Sequence, residues 1–129
     1  MIFLDSTFLI GLFSQNDQWH ENAKKLYQKI SQEEFIITDH IISETITMIS
    51  NKSGVLAGFE VYNFLINNLK IYPANRQLYN KCMDYHITYN GKLSFVDCLS
   101  VAVMEKEKIY EIASFDSDFD KVTGIYRLH

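Results

Sequence analysis

A chain of 129 residues, 47% hydrophobic and 22% charged, can bury one substantial core and needs no second domain. Nine phenylalanines, eight tyrosines and only one proline exclude a disordered chain, because that composition buries enough apolar surface to offset chain entropy. A formal net charge of -4 argues against nucleic acid held by a basic surface, unless part of that charge is a cation site neutralised in the active form.

No basic leader precedes Asp5, and no apolar run reaches membrane-spanning length, so a cytoplasmic protein without membrane contact is expected. Met1 to Leu4 is an apolar run of strand formers that stops on Asp5, Ser6 and Thr7, the pattern of a buried strand delivering a carboxylate to its carboxyl end. Thr7 to Phe13 is too apolar for a surface helix and reads as a short buried one. Asp17 is placed to cap a helix running to about Ser31, with Trp19, Ala23, Leu26, Tyr27 and Ile30 at helical spacing. Phe35 to Ile37 is a short buried strand. Thr38 or Asp39 caps the next helix, whose wide apolar face is Ile41, Ile42, Thr45, Ile46, Met48 and Ile49, until 51–54 breaks it.

Val55 to Asn68 is helical again, with Phe59, Tyr62, Leu65 and Ile66 in register, and Lys70 to Tyr72 is a minimal strand ended by Pro73. Asn75 to about Tyr89 carries Leu78, Cys82, Tyr85 and Tyr89 on one stripe, and Asn90-Gly91 is a stop signal. Ser94 opens a helix that sends Phe95, Leu99, Ala102 and Val103 to the core. Cys82 and Cys98 lack CxxC or Cys/His spacing and read as buried free thiols. Glu111 to Ser114 is a strand, Asp116 to Asp120 a turn, and Gly124 to Leu128 the last strand. Short apolar strands separated by helices imply right-handed crossovers, and so an α/β fold with a mainly parallel sheet covered on both faces. Ligands of such sheets bind at the carboxyl ends of strands where the strand order reverses, which gives Asp5 and Asp116 a common destination.

Four acids stand out, each with a plain structural alternative. Asp5 and Asp97 fit helix caps, the latter through the Ser94-x-x-Asp97 capping-box pattern. Asp116 lies in an Asp/Ser-rich segment typical of any turn, with Asp118 and Asp120 beside it. Glu44 sits one helical step from Ile41 and Met48, which argues against a solvated face, and Asp97 shares a helix line with Val101 and Met104. Two carboxylates about 5 Å apart at an effective dielectric near 20 repel by roughly 3 kcal/mol, so a converged set requires a cation or protons. Hard oxygen ligands without a His or Cys set point to Mg2+ or Mn2+ rather than zinc.

These segments together resemble the PIN-domain family, in particular the VapC-type toxins of bacterial and archaeal toxin-antitoxin pairs. The resemblance rests on Phe3-Leu4-Asp5-Ser6-Thr7, Ile41-Ile42-Ser43-Glu44, Leu93-Ser94-Phe95-Val96-Asp97-Cys98, and Ser114-Phe115-Asp116-Ser117-Asp118-Phe119 followed by Gly124-Ile125. It implies a three-layer α/β/α sandwich and a metal-dependent ribonuclease with Asp5, Glu44, Asp97 and Asp116 around one or two Mg2+ or Mn2+ ions. Asp5 and Asp97 would be the most direct ligands and Asp118 an auxiliary one, while Ser6 or Thr7 and Ser114 would orient carboxylates or water. Ser114 stands where the family commonly has Thr, and Cys98 where a small residue is usual. Lys52, Lys92, Lys121 and Arg127 are candidates for RNA phosphate contacts, with ordinary surface charge as the alternative. The resemblance also implies a homodimer and a small antitoxin partner. Competing readings are a non-catalytic PIN-like scaffold, an RNA-processing nuclease without an antitoxin, and an unrelated α/β domain whose acids are caps.

Overall fold

Every strand is only three or four residues long, so each places one or two side chains on either face of the sheet and ends abruptly at the chemistry beyond it. The computed structural model describes residues 1–129. In chain order the elements are β1 (Ile2–Leu4), α1 (Ser6–Phe13), α2 (His20–Ile30), β2 (Phe35–Thr38), α3 (Asp39–Ser53), α4 (Val55–Asn68), β3 (Lys70–Tyr72), α5 (Arg76–Thr88), α6 (Phe95–Glu107), β4 (Glu111–Ala113), a 3-10 turn (Ser117–Lys121) and β5 (Tyr126–Leu128). The strands order as β3-β2-β1-β4-β5, and every pairing is parallel.

That order fixes the layers. The crossovers from β1 to β2 and from β2 to β3 step one way across the sheet, whereas the return from β3 to β4 steps the other way. Right-handed crossovers therefore put α1 to α4 on one face and α5 and α6 on the other, giving a three-layer α/β/α sandwich. The sheet is buried on both sides, and 30 buried hydrophobic residues form one continuous cluster in which Phe3, Ile36, Ile37 and Ile112 are fully enclosed. Cys82 and Cys98 are buried free thiols. The strand order reverses between β1 and β4, which leaves a crevice beyond their carboxyl ends.

Helix ends follow their caps. Thr38 accepts a bond from the Ile41 amide, and Asn75 one from that of Leu78. Asp17 does not cap α2. Its carboxylate takes the Trp19 amide at 3.0 Å in a turn ahead of the helix, which begins only at His20 and leaves Trp19 38% exposed. Gly54, at φ +93, ends α3 and lets α4 begin at once.

The buried face of α4 differs from the predicted stripe. Gly58, Val61 and Leu65 face the core, while Phe59, Tyr62 and Ile66 lie in solvent together with Val55 and Leu56. Gly58 decides this, because its bare Cα lets α4 close on α3 where any Cβ would collide with Ser50 Oγ and lie 3.3 Å from Ser50 Cβ. Gly58→Ala is expected to be overpacked by about 1–3 kcal/mol at this crossing. Adding Ser50→Ala removes the colliding hydroxyl and leaves the helix preference for Ala over Gly, about 1 kcal/mol, to recover stability. Thermal unfolding of the two variants checks the order, and equal melting temperatures would mean that the crossing simply yields.

Candidate active site

Asp5 follows β1 directly and is 2% exposed. It occupies the position before α1, yet its side chain caps nothing there. Instead Oδ2 accepts hydrogen bonds from Thr7 Oγ1 at 2.6 Å and Ser114 Oγ at 2.7 Å. Each hydroxyl has one proton, and both are directed at Asp5. Their lone pairs accept backbone amides in turn: Thr7 Oγ1 takes Phe115 N–H and Ser114 Oγ takes Asp116 N–H, each at 3.0 Å. The tips of β1 and β4 are thereby stitched together around one carboxylate. Burial pushes the Asp5 carboxyl above its ordinary range; the bonds from Thr7 and Ser114 pull it down, and the charge of Glu44 pushes it up again. Ser6 is buried, and its contribution to Asp5 comes through its backbone rather than its hydroxyl.

The cap at the start of α6 is made by Ser94, whose Oγ accepts the Asp97 amide at 3.1 Å. Asp97 supplies the backbone half of that motif, and its carboxylate is left free to face the crevice. Burial raises it, then the charges of Asp5 and Asp116, to about 7 from an ordinary 3.8, with the Ser94 bond opposing. Carboxylate oxygens of Asp97, Asp116 and Asp118 lie within 4.8 Å of one another. Asp116 Oδ1 accepts the Asp118 amide at 2.9 Å, so the 3-10 turn presents both side chains as a unit.

Glu44 stands apart from that trio. The buried stripe of α3 is Ile41, Thr45 and Ile49, which leaves Glu44 exposed, contrary to the expectation drawn from its neighbours. It lines an open groove of about 330 Å³ with His40, Ser43, Thr47, Met48 and Val96, and its charge is felt by both Asp5 and Asp97.

Of the four cations predicted to meet phosphate, three are already engaged. Lys52 lies 3.4 Å from Asp17, and Lys121 2.7 Å from Asp118. Arg127 clamps Asp120 through two 2.9 Å bonds and donates a third to the Ser114 carbonyl at 3.2 Å, which braces β5 against the end of β4. Lys92 alone has no acidic partner. Arg76, passed over in the sequence, is also exposed and unpaired. It opens α5, the helix that follows the outer strand β3.

A PIN-domain family model matches residues 2–125. The chain belongs to the PIN-domain family. This PIN domain is 28% identical over 122 residues to the 23S rRNA-specific endonuclease VapC20 of Mycobacterium tuberculosis, with 92% of each chain covered. It shares its fold with the crystal structure of Mycobacterium tuberculosis VapC20, a sarcin-ricin loop cleaving toxin, at a TM-score of 0.87 and 24% identity over 97% of both chains. A toxin-antitoxin complex from Klebsiella pneumoniae has the same fold, with a TM-score of 0.75 and 16% identity over 99% of this chain and 100% of that one.

The donor set of the PIN domain fits a hard divalent cation. Three carboxylates can reach one point, Asp5 and Asp97 are held above their ordinary range first by burial and then by neighbouring acids (Glu44 for Asp5; Asp5, Asp116 and Glu44 for Asp97), and no histidine or cysteine joins them.

Proposed function

We propose that this PIN domain is a divalent-metal-dependent endoribonuclease and the toxin of a toxin-antitoxin pair. The observation that carries the reading is the meeting, at one strand tip, of acids from segments more than ninety residues apart, with Asp97 raised to about 7 by burial and by its acidic neighbours. Lys121 pairs with Asp118 at 2.7 Å but no ion pair reaches Asp97 or Asp116, and carboxylates so placed are destabilising unless a cation joins them.

In this reading Asp97, Asp116 and Asp118 hold Mg2+ or Mn2+, so Asp118 takes the direct place expected of Asp5, which lies outside the trio and with Glu44 completes the acidic set. A divalent cation bound there would supply Lewis acidity toward a phosphodiester oxygen and would make a nearby water more acidic. Asp5, fixed by the hydroxyls of Thr7 and Ser114, orients what enters from the sheet side. Glu44, in solvent at the rim, would accept a proton from the water whose oxygen bonds phosphorus, while the bond from phosphorus to the leaving ribose oxygen breaks and that oxygen takes a proton from solvent. The protein supplies position and charge and forms no covalent bond to RNA.

A homodimer and a small antitoxin partner belong to the same reading. The ridge of Val55, Leu56, Phe59, Tyr62 and Ile66 along α4 supports it, because contiguous apolar surface of this kind is unusual on a monomer left in water.

Incubation with structured RNA, in chelator and then with Mn2+ restored, tests the activity. Cleavage is expected only with the metal, which should also raise the melting temperature by binding the folded state alone. Equal cleavage in chelator would overturn the metal-dependent reading.

A further inference from the structure

Beside the acids runs a line of aromatic rings that their chemistry does not use. His40 meets Tyr79 edge-on at 5.9 Å, Tyr79 lies near-parallel to Phe95 at 6.3 Å, and His86 closes the inner end against Phe95 at 6.4 Å. The three outer rings come from the first turns of α3, α5 and α6. Tyr79 is 38% exposed and Phe95 37%, although the sequence places Phe95 in the core. The α6 residues from Cys98 to Met104 are all buried, and Phe95 lies outside that block at the helix start, where the core does not require it.

We propose that His40, Tyr79 and Phe95 form a stacking platform for unpaired RNA bases next to the acidic site, with Arg76 and Lys92 meeting the flanking phosphates; this rests on the endoribonuclease reading. Position supports it first. His40 lies one helical step from Glu44 on α3 and shares its groove with it and with Val96, the residue after Phe95, so the outer end of the ring line borders the Glu44 groove. Charge supports it second. Arg76 lies one helical step from Tyr79 and Lys92 three residues before Phe95, and neither has an acidic partner, whereas Lys52, Lys121 and Arg127 are all held by aspartates. Exposed aromatic faces interleaved with free cations suit a single strand, whose bases stack on rings without regard to sequence.

The platform is also held in place before any ligand arrives. Asp39 Oδ1 accepts His40 N–H, contacts its Nδ1 at 3.1 Å and accepts the Ala74 amide at 3.3 Å, tying α3 to the segment leading into α5. His86 Nδ1 bonds the Leu93 carbonyl at 2.9 Å, anchoring the inner ring. Little ordering remains to oppose binding. With a net charge of -4 the protein has no general attraction for a polyanion, so stacking must contribute much of the affinity.

The test uses the full chain carrying Asp97→Asn, so that binding is read without cleavage, and a short single-stranded oligoribonucleotide with the fluorescent base 2-aminopurine at successive positions. Quenching is expected at one or two positions. Tyr79→Ala and Phe95→Ala should each weaken binding by about tenfold and lift the quenching, since a base on an aromatic ring contributes about 1–3 kcal/mol. Tyr79→Phe and Phe95→Tyr should keep both. Phe95→Leu retains bulk without an aromatic face and should behave as the alanine variant even if Phe95→Ala unfolds. With two phosphate contacts, the slope of log K against log salt should be about -1.4, falling by about 0.7 in Arg76→Gln. Wild-type cleavage with unchanged binding and quenching in the ring variants would overturn the platform and leave the nuclease standing. No cleavage by the wild type would sink the nuclease reading and the platform with it.

Discussion

Asp97→Asn is expected to reduce metal-dependent RNA cleavage by at least about a hundredfold and, in the metal-free protein above pH 7, to raise the melting temperature. The activity loss follows from removing one of three carboxylates that converge within 4.8 Å. The gain in stability follows from the proton balance. The carboxyl ionises at its ordinary 3.8 in the unfolded chain and at about 7 in the folded one, so between those values the native state holds the extra proton. Stability of the metal-free protein therefore falls as pH rises from 3.8 to about 7 and levels off above it. Unscreened, that shift corresponds to about 4 kcal/mol; partial exposure of Asp97 reduces it to the order of 2 kcal/mol, a rise of roughly 5–10 °C for a chain of this size. Asn has no proton to lose, so wild type and variant should converge near pH 4 and separate above pH 7. Saturating Mn2+ should reverse their order, because only the wild type keeps the full ligand set. A clear loss of stability at pH 8 in the metal-free variant would show that attraction between Asp97 and the start of α6 outweighs repulsion among the acids.

Ser114→Ala is the second large effect. The hydroxyl is fully buried; it donates to Asp5 and accepts the Asp116 amide, so its removal leaves a buried carboxylate oxygen with one hydroxyl donor and a backbone N–H with none. A stability loss of about 2–3 kcal/mol is expected, since a hydrogen bond to a charged group and an orphaned donor are affected together. Activity should fall by about 10- to 100-fold, the range found when a group orienting a metal-site carboxylate is lost. Ser114→Thr keeps the hydroxyl and should retain most of both. Denaturant melts and a cleavage time course on the three proteins check this, and a fully active, fully stable alanine variant would show that Thr7 alone suffices to hold Asp5.

The fold was legible wherever a local rule was enough. The run ending at Asp5, the strand before Asp116 and the cap at Ser94 gave the elements, and the alternation of strand and helix gave the parallel sheet and the crevice at its edge. The capping-box pattern at Asp97 turned out to be made by its first residue: Ser94 bonds the amide, and the Asp97 carboxylate makes no cap. What periodicity could not supply was the partner of each face. Phe59, Tyr62 and Ile66 form an apolar stripe as regular as any in the core, yet a glycine one position earlier sets the closer approach and turns them outward. Glu44 was misjudged for the same reason, since spacing from Ile41 and Met48 did not show that Met48 itself lies 38% exposed. The engaged cations needed geometry, because nothing in the order of residues says that Arg127 folds back onto Asp120 rather than out toward a ligand.

The bond between Ser114 and Asp5 joins positions 109 apart in the chain, and two of the three clustered aspartates follow Ser114. During translation, β1 leaves the ribosome long before the residues that complete its pocket have been polymerised, and no local pairing can substitute for them. A nascent polypeptide shorter than 118 residues therefore lacks part of the acidic cluster. The acidic cluster can close only after residue 118 has been made, and until then the segment ending at Asp5 waits without its partners.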